Sequence, residues 1–347
     1  MERGRPVSGG RGSHAGWGRA AALAVAAGIG ATRAAAAQGH DEAPDTVRLA
    51  FAWPAGAGAT VVAERSRDLS ENGVPSRAHA TLRYRMTTER SGDGYLVRYS
   101  EFAGDAMRGR EGGSARRIGA SDVAAHLASF PPSYLISTEG EFRSLDDPTS
   151  LRAVLDSVVA PVRGELIGSN PGAAAFLASL VADAALDGAA RQEWSMLVGA
   201  WIGRELVIGD SYTSSAAERS PFPGDGDVRM EYAFTALQRV PCDSADTGTS
   251  CVALRIESRP DPEAAGRVIR TALAGVMPGD STMLAKATFD VRNTVHLVAR
   301  PESLLPYRLT VTKEVSLLLP EGGRMSEYRQ VEVADRRYGW ADGRVGG

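Results

Sequence analysis

Two short phrases, Gly209-Asp210-Ser211 and Gly279-Asp280-Ser281, carry the residue types of a serine-esterase nucleophile block. Such chemistry needs a histidine to take the serine proton and a carboxylate to orient that histidine. The last histidine, His296, has Asp290 as its nearest upstream acid and falls on the polar side of a predicted strand. Both phrases therefore indicate turns before strands. A hydrolase built on Ser211 or on scattered carboxylates stays the alternative function.

The spacing of the histidines, cysteines and acidic residues does not indicate a metal site. Four histidines lie beyond residue 37: His40, His79, His126 and His296. They do not share ligand spacing, and the chain contains no HExxH pattern or cysteine cluster. The acidic pairs Asp146-Asp147 and Asp225/Asp227 fall at a helix start and in a turn, with too few oxygen ligands for calcium. We predict no metal, no cofactor and no catalytic residue.

The two cysteines, Cys242 and Cys251, flank a turn-rich loop between two segments of alternating apolar residues. This pattern is typical of a β-hairpin with a disulfide across its neck. Redox catalysis is the functional alternative, but the spacing is not CxxC and no helix start is evident to activate a thiol. The pair is predicted to stabilise structure.

The first 37 residues have the features of a cleaved export signal. Arginines precede the apolar run Ala20–Ala31, and the small residues Ala35 and Ala37 suit a cleavage site after Ala37. Removing the five arginines and one glutamate of residues 1–37 from totals of 39 basic and 42 acidic residues takes the net charge from −3 to −7. An acidic chain without a basic patch argues against a nucleic-acid partner. We expect a periplasmic or extracellular protein without a transmembrane segment in its mature form.

Period-two alternation dominates the rest of the chain and predicts long strands. A first strand is predicted to carry Val47, Leu49, Phe51 and Trp53 on one face, and Ser91–Gly94 is predicted to turn one strand into the next. In the C-terminal third, two further strands each have one apolar face. Their apolar positions are Phe289, Val291, Val295 and Leu297, then Tyr307, Leu309, Val311, Val315, Leu317 and Leu319.

Three segments follow helical spacing instead, over about 148–160, 171–201 and 261–277. Asp147-Pro148 and Asp261-Pro262 each place a capping side chain before a proline, which is typical of helix starts. The fold class is therefore predicted to be α+β, with a large, curved antiparallel sheet covered by helices.

The predicted organisation has four parts. Residues 1–37 form the signal, 38–145 a strand-rich half, 146–204 a helical segment, and 205–340 a second strand-rich half with the disulfide hairpin. Whether the two strand-rich halves form one continuous domain stays open.

Three phrases carry a resemblance to known proteins: Tyr134 to Phe142, Leu206 to Tyr212, and Leu304 to Arg308. Their order is similar to that in exported bacterial domains of unknown function whose curved antiparallel sheets resemble the periplasmic lipoprotein-carrier fold. The resemblance covers residues 130–335 and implies a fold rather than an activity. The helical stretch from Pro171 to Trp201 is longer than that fold requires.

The sequence thus predicts an exported, non-catalytic protein that binds a ligand or serves as an envelope-associated structural or interaction module. If the sheet is curved, an apolar or lipid-like ligand is expected beneath the 171–201 helices. The alternative is that the same aromatic face simply forms the core. The residues of this face are Tyr84, Tyr99, Tyr232, Phe234, Phe289 and Tyr307.

Overall fold

A computed structural model describes residues 44–109, 131–153, 182–219, 227–243, 250–276, 285–321 and 324–340, with isolated positions at 156, 160, 178 and 248. The predicted export signal and the Gly279-Asp280-Ser281 phrase lie outside the described residues. Residues Pro44–Gly347 belong to one compact unit.

Long strands account for most of the described residues, as the alternating sequence predicts. The strands are β1 Thr46–Arg48, β2 Gly58–Glu71, β3 Val74–Ser91, β4 Gly94–Gly109, β5 Tyr134–Ser137, β6 Phe142–Leu145, β7 Glu205–Val207, β8 Ser211–Arg219, β9 Asp227–Pro241, β10 Ser250–Pro260, β11 Thr288–Ala299, β12 Pro306–Glu321 and β13 Arg324–Trp340. Two helices cover part of the sheet in the described part of the chain: α1 Asp183–Trp194 and α2 Pro262–Val276.

Eleven of these strands form one antiparallel sheet in the order β6-β5-β4-β3-β2-β13-β12-β11-β10-β9-β8. Neighbours in the sheet are neighbours in the chain except where β13 pairs with β2, for example Tyr338 with Val61. That pairing joins strands from both strand-rich halves into one sheet. The predicted large antiparallel sheet is confirmed, and the fold is mostly β, with helices as a minor component.

Tight two-residue turns connect the longest strands. Asn72 and Gly73 join β2 to β3 with φ of 50° and 81°, the left-handed pair that a type I′ turn requires. The predicted turn at Ser91–Gly94 is confirmed, since Ser91 and Gly94 are paired across it. The dipeptide Asn72-Gly73 is therefore the turn of a β-hairpin, and the sequence prediction did not include this turn.

The predicted first strand is wrong in length. Only Thr46–Arg48 is strand, and it pairs with β7 in a separate two-stranded sheet. Beyond it, the Leu49 N–H donates to the Arg204 carbonyl and the Ala50 N–H to the Pro301 carbonyl. These loop carbonyls satisfy the backbone in place of a strand partner. The predicted apolar face is nevertheless packed in the core: Val47, Leu49 and Trp53 are buried.

Each predicted helical segment contains helix within its described part. Asp147 accepts a hydrogen bond from the Ser150 N–H at 2.9 Å, and residues 148–153 are helical. Asp261 caps α2 in the same way through the Ala264 N–H at 2.9 Å. The long segment predicted over 171–201 is α1 followed by a π-helical turn at Ser195–Gly199, and most of 171–181 lies outside the described residues.

The disulfide between Cys242 and Cys251 is confirmed, with their Cα atoms 4.9 Å apart. It closes the hairpin of β9 and β10, two antiparallel strands whose pairing ends at Ser250 and Pro241. Cys251 is fully buried. The staple therefore anchors the end of the hairpin to the core.

Candidate ligand-binding face

One face of the eleven-stranded sheet, which we call the inner face, carries the hydrophobic core along part of the length of its strands. Alternate residues of every central strand point to it, and cross-strand pairs such as Leu297 with Leu309 and Leu254 with Leu297 bring them side by side. These three leucines are fully buried. The inner face is therefore the side on which the sheet meets its cover.

The cover over this half consists of α1, the π-helical turn and irregular segments around Trp53. The Trp194 ring lies 5.4 Å from Trp53 and 5.7 Å from Tyr134, measured between centroids, in edge-on geometry. Its indole N–H donates to the Gly140 carbonyl at 2.7 Å. Gly140 has φ of 86°, and a Cβ there would lie 2.6 Å from the Phe51 ring. Glycine at position 140 is thus required by both its positive φ and the close approach of Phe51.

A buried ion pair joins the cover to the sheet. Arg336 on β13 donates two hydrogen bonds to the Glu193 carboxylate on α1, the second at 3.2 Å. Each side chain is 12% exposed. Burial opposes the charge on Arg336, but Glu193 more than offsets this, so the pKa of Arg336 stays above its usual range. Removing one partner alone would leave an uncompensated buried charge.

Four tyrosines surround this ion pair: Tyr84, Tyr99, Tyr134 and Tyr338. The Tyr99 and Tyr134 hydroxyls are 3.1 Å apart and share a hydrogen bond. Burial raises the pKa of Tyr84 to about 12, and it holds the pKa values of the other three well above their ordinary value. At neutral pH the cluster is uncharged, as a packed core requires.

A row of polar residues crosses the inner face just beyond the core. The cross-strand register places Arg67 opposite Glu332, Glu332 opposite Lys313, and Lys313 opposite Asn293. The row continues to Ser258. Within it, Glu332 is paired with Arg65, while Lys313 is exposed and no carboxylate of the described residues forms an ion pair with it. We call the set Arg67, Glu332, Lys313, Asn293 and Ser258 the polar row.

Apolar residues resume beyond the polar row. Val315 is opposite Val291, and Leu317 lies between Phe289 on β11 and Tyr328 on β13. Except for Val291, which is buried, they are half-buried, so they remain partly in contact with solvent. The helix α2 packs beside them on β9 and β11 through Val268. We call the following set the apolar strip: Val291, Phe289, Val315, Leu317, Leu319 and Tyr328.

The six residues of the predicted ligand face occupy different parts of the molecule. Tyr84, Tyr99 and Phe234 are buried in the core. Tyr232 is half-buried beside Phe234, with ring centroids 6.1 Å apart. Phe289 belongs to the apolar strip. Tyr307 lies under the guanidinium of Arg300, 5.6 Å from ring centroid to Cζ.

The residues proposed for hydrolysis are not brought together. Ser211 lies on the edge strand β8, and its hydroxyl is hydrogen-bonded to Thr235 at 2.7 Å. His296 is on β11, with β9 and β10 between them. Three strand spacings correspond to about 14 Å, far beyond hydrogen-bond reach. Among the described residues, His296 therefore cannot act as the base for Ser211.

Two other kinds of candidate site are a metal centre and a surface cavity. In the described part of the chain, no group of three or more His, Cys, Asp or Glu side chains is arranged to hold a metal ion. An open cavity of about 320 Å³ lies beside the π-helical turn, between Phe142 and Trp194. Its cation, Arg191, stacks on the Phe142 ring and pairs with Asp187 at 3.3 Å. The Arg191 guanidinium is thus already engaged within the protein, and Glu141 is the other charged residue that lines the cavity.

The polar row is the feature that sequence reasoning missed, although a signal for it exists. The two apolar series in the C-terminal third each skip one position of their alternation, at Asn293 and at Lys313. The register pairs these two residues. Matching interruptions on consecutive antiparallel strands could therefore have indicated a polar row across one face.

Comparison with known proteins gives little likeness in sequence. No protein-family model and no curated protein match the chain. Among solved structures, one that describes lipid–protein interactions in lipovitellin aligns with a TM-score of 0.37 and 10% sequence identity, covering 85% of this chain and 26% of that one. This chain therefore spans about a quarter of the length of the lipovitellin chain. Among the described residues, no helix combines the length and apolar character needed to cross a membrane.

Proposed function

We propose that this protein is exported and acts without catalysis, binding an apolar or lipid-like ligand against the apolar strip. The observation that carries the proposal is that the apolar inner face extends past the packed core. Val315, Leu317 and Leu319 lie on the same face of β12 as the fully buried Leu309 but are only half-buried. Apolar area that stays in contact with water is stabilised when a ligand covers it.

The neighbouring structure suits a binding role. The helix α2 forms one side wall of the strip, and the polar row separates the strip from the core. The core itself, including Tyr84 and Tyr99, is filled by α1 and the tryptophans. We therefore place the ligand on the strip, where Phe289 is the one residue of the six-residue aromatic face that it touches directly.

Export is part of the same proposal. The predicted signal over residues 1–37 and the disulfide between Cys242 and Cys251 both suit an oxidising compartment. A ligand-binding protein outside the cytoplasm needs neither a nucleotide nor a reducing environment.

The test uses two matched variants, Leu317→Gln on the apolar strip and Val331→Gln on the outer face, where Val331 is 41% exposed. The purified protein is examined by native mass spectrometry for bound lipid and titrated with the neutral fluorophore Nile red. We expect Leu317→Gln to weaken Nile red binding about fivefold, because a half-buried leucine contributes about 1 kcal/mol of apolar contact. The outer-face variant should bind as the unmodified protein does.

Thermal unfolding of both variants checks that each is folded. Absence of both co-purified lipid and Nile red binding in the unmodified protein would refute the proposal. Equal loss of binding in the two variants would also refute it, since only one of them alters the strip.

A further inference from the structure

The geometry points to an anionic single-chain amphiphile, a fatty acid, as the ligand class, with its carboxylate at Lys313 and its acyl chain along the apolar strip. This assignment rests on the proposed function and adds the chemistry of the headgroup.

The charge distribution on the inner face carries the inference. Inner-face positions over 59–71, 309–319 and 326–338 hold four cations, Arg65, Arg67, Lys313 and Arg336, against two carboxylates, Glu332 and Glu71. Glu193 of α1 adds a third carboxylate, which is paired with Arg336. This face is therefore net positive, although the whole chain has a net charge of −3. An anionic ligand complements that local excess.

Lys313 is the cation placed to meet a ligand. Its side chain shares the inner face with Val311 and Val315 by strand alternation, and it is exposed while its strand neighbours on that face are half-buried. In the described part of the chain no carboxylate forms an ion pair with it. Asn293, directly across on β11, adds an amide N–H donor for the second carboxylate oxygen.

The dimensions fit one acyl chain. From Lys313 to Leu319, six residues of strand extend ~20 Å. One leaflet of a bilayer's hydrocarbon core is ~15 Å thick, which is the reach of a membrane-lipid chain. The strip spans the three strands β11, β12 and β13, a width of about 10 Å. One ammonium at one end of this strip suits one carboxylate with one chain.

The experiment exploits the chain's only two lysines, Lys286 and Lys313. Lys286 lies exposed in a turn before β11 and serves as the matched control. Dodecanoate and its neutral analogue dodecanol are compared as competitors of Nile red on the unmodified protein, Lys313→Gln and Lys286→Gln. We expect dodecanoate to bind about fivefold more tightly than dodecanol, in keeping with a partly exposed ion pair. That preference should vanish in Lys313→Gln and persist in Lys286→Gln.

A second measurement detects the contact between Lys313 and the carboxylate directly. Acetylation of lysine amines, followed by mass spectrometry, should show Lys313 protected several-fold at saturating dodecanoate and Lys286 unprotected. Equal binding of acid and alcohol by all three proteins would overturn the headgroup assignment and leave the proposed function standing. Displacement by neither compound would overturn the fatty-acid assignment, whereas the proposed function is tested separately by Nile red binding and its loss in Leu317→Gln. Binding of diacyl phosphatidylglycerol vesicles without binding of dodecanoate would overturn the single-chain assignment.

Discussion

Two buried tyrosines of the core, Tyr84 and Tyr99, differ in what their hydroxyl groups contact. The Tyr99 hydroxyl is hydrogen-bonded to Tyr134 at 3.1 Å. The Tyr84 hydroxyl has no hydrogen-bond partner among the described residues. The two rings meet edge-on with centroids 5.8 Å apart, and both are buried in the same core cluster. Comparing the two tyrosines therefore distinguishes the contribution of a hydroxyl hydrogen bond to stability from the contribution of ring packing.

We predict opposite outcomes for the two phenylalanine variants. Tyr84→Phe should keep or slightly raise the free energy of unfolding, because it removes a buried polar group that forms no bond. Tyr99→Phe should lower it by about 1 kcal/mol, because the Tyr134 hydroxyl loses its partner. Guanidinium chloride unfolding at pH 7 measures both. A loss in Tyr84→Phe as large as that in Tyr99→Phe would contradict the assignment.

At the scale of elements, the β9–β10 hairpin depends on its disulfide. The bridge spans a sequence separation of nine residues, and both cysteines are buried. By loop-closure entropy, a bridge of this span stabilises the folded state by about 2.5 kcal/mol. The hairpin presents Leu254 and Phe234 to the core. Loss of the staple should therefore lower the stability of the whole sheet.

The double variant Cys242→Ala/Cys251→Ala tests this effect. Its free energy of unfolding should fall by about 2.5 kcal/mol, since the unfolded chain regains the freedom that the bridge removes. Chemical denaturation in the absence of reductant makes the comparison. As a control, adding reductant should destabilise the unmodified protein and leave the double variant unchanged. An equal midpoint for the two proteins would show that the staple contributes nothing.

Helix caps and tight turns are the elements that the sequence predicts best. Asp147 and Asp261 each accept a hydrogen bond from the backbone N–H three residues later, as their position before a proline indicates. The first strand was predicted too long because Leu49 and Ala50 alternate correctly but bond to loop carbonyls of Arg204 and Pro301. Alternation reports which side chains are buried, and it does not report which backbone supplies the hydrogen bonds.

At the scale of the whole molecule, the buried tyrosine cluster makes stability depend on alkaline pH. Burial raises the pKa of Tyr84 to about 12, against about 10 in an unfolded chain. The raised value means that the folded state keeps a proton which the unfolded state releases first. The associated stability is therefore fully present below pH ~10 and is lost as the pH rises toward ~12.

We expect the free energy of unfolding to fall above pH 10, with Tyr84 alone accounting for about 2 to 3 kcal/mol by pH 12. Unfolding by denaturant at a series of pH values from 8 to 11.5 measures the trend, and tyrosinate absorbance follows ionisation. Tyr99, Tyr134 and Tyr338 should ionise only with unfolding, because burial holds their pKa values well above normal. A stability that stays constant across this range would contradict the burial of the cluster.

The sequence predicts that the candidate site is apolar, but it does not predict where on the sheet the site lies. Phe289, Val315 and Leu317 are marked by alternation as one apolar face, and they are the strip on which we place the ligand. The same alternation also marks Tyr84, Tyr99 and Phe234, which are buried beneath α1 and the tryptophans. Periodicity distinguishes the two faces of a strand. It cannot tell which stretch of one face receives a cover.

Features that depend on residues close together in the chain follow from the sequence: the long alternating strands, the Ser91–Gly94 turn, the caps at Asp147 and Asp261, and the cysteine-stapled hairpin. Long-range packing is what pairs β13 with β2, brings Arg336 to Glu193, and places Lys313 in the polar row between the core and the apolar strip. Those contacts join residues far apart in the chain, and their register is set by the packing of the entire sheet rather than by any local pattern.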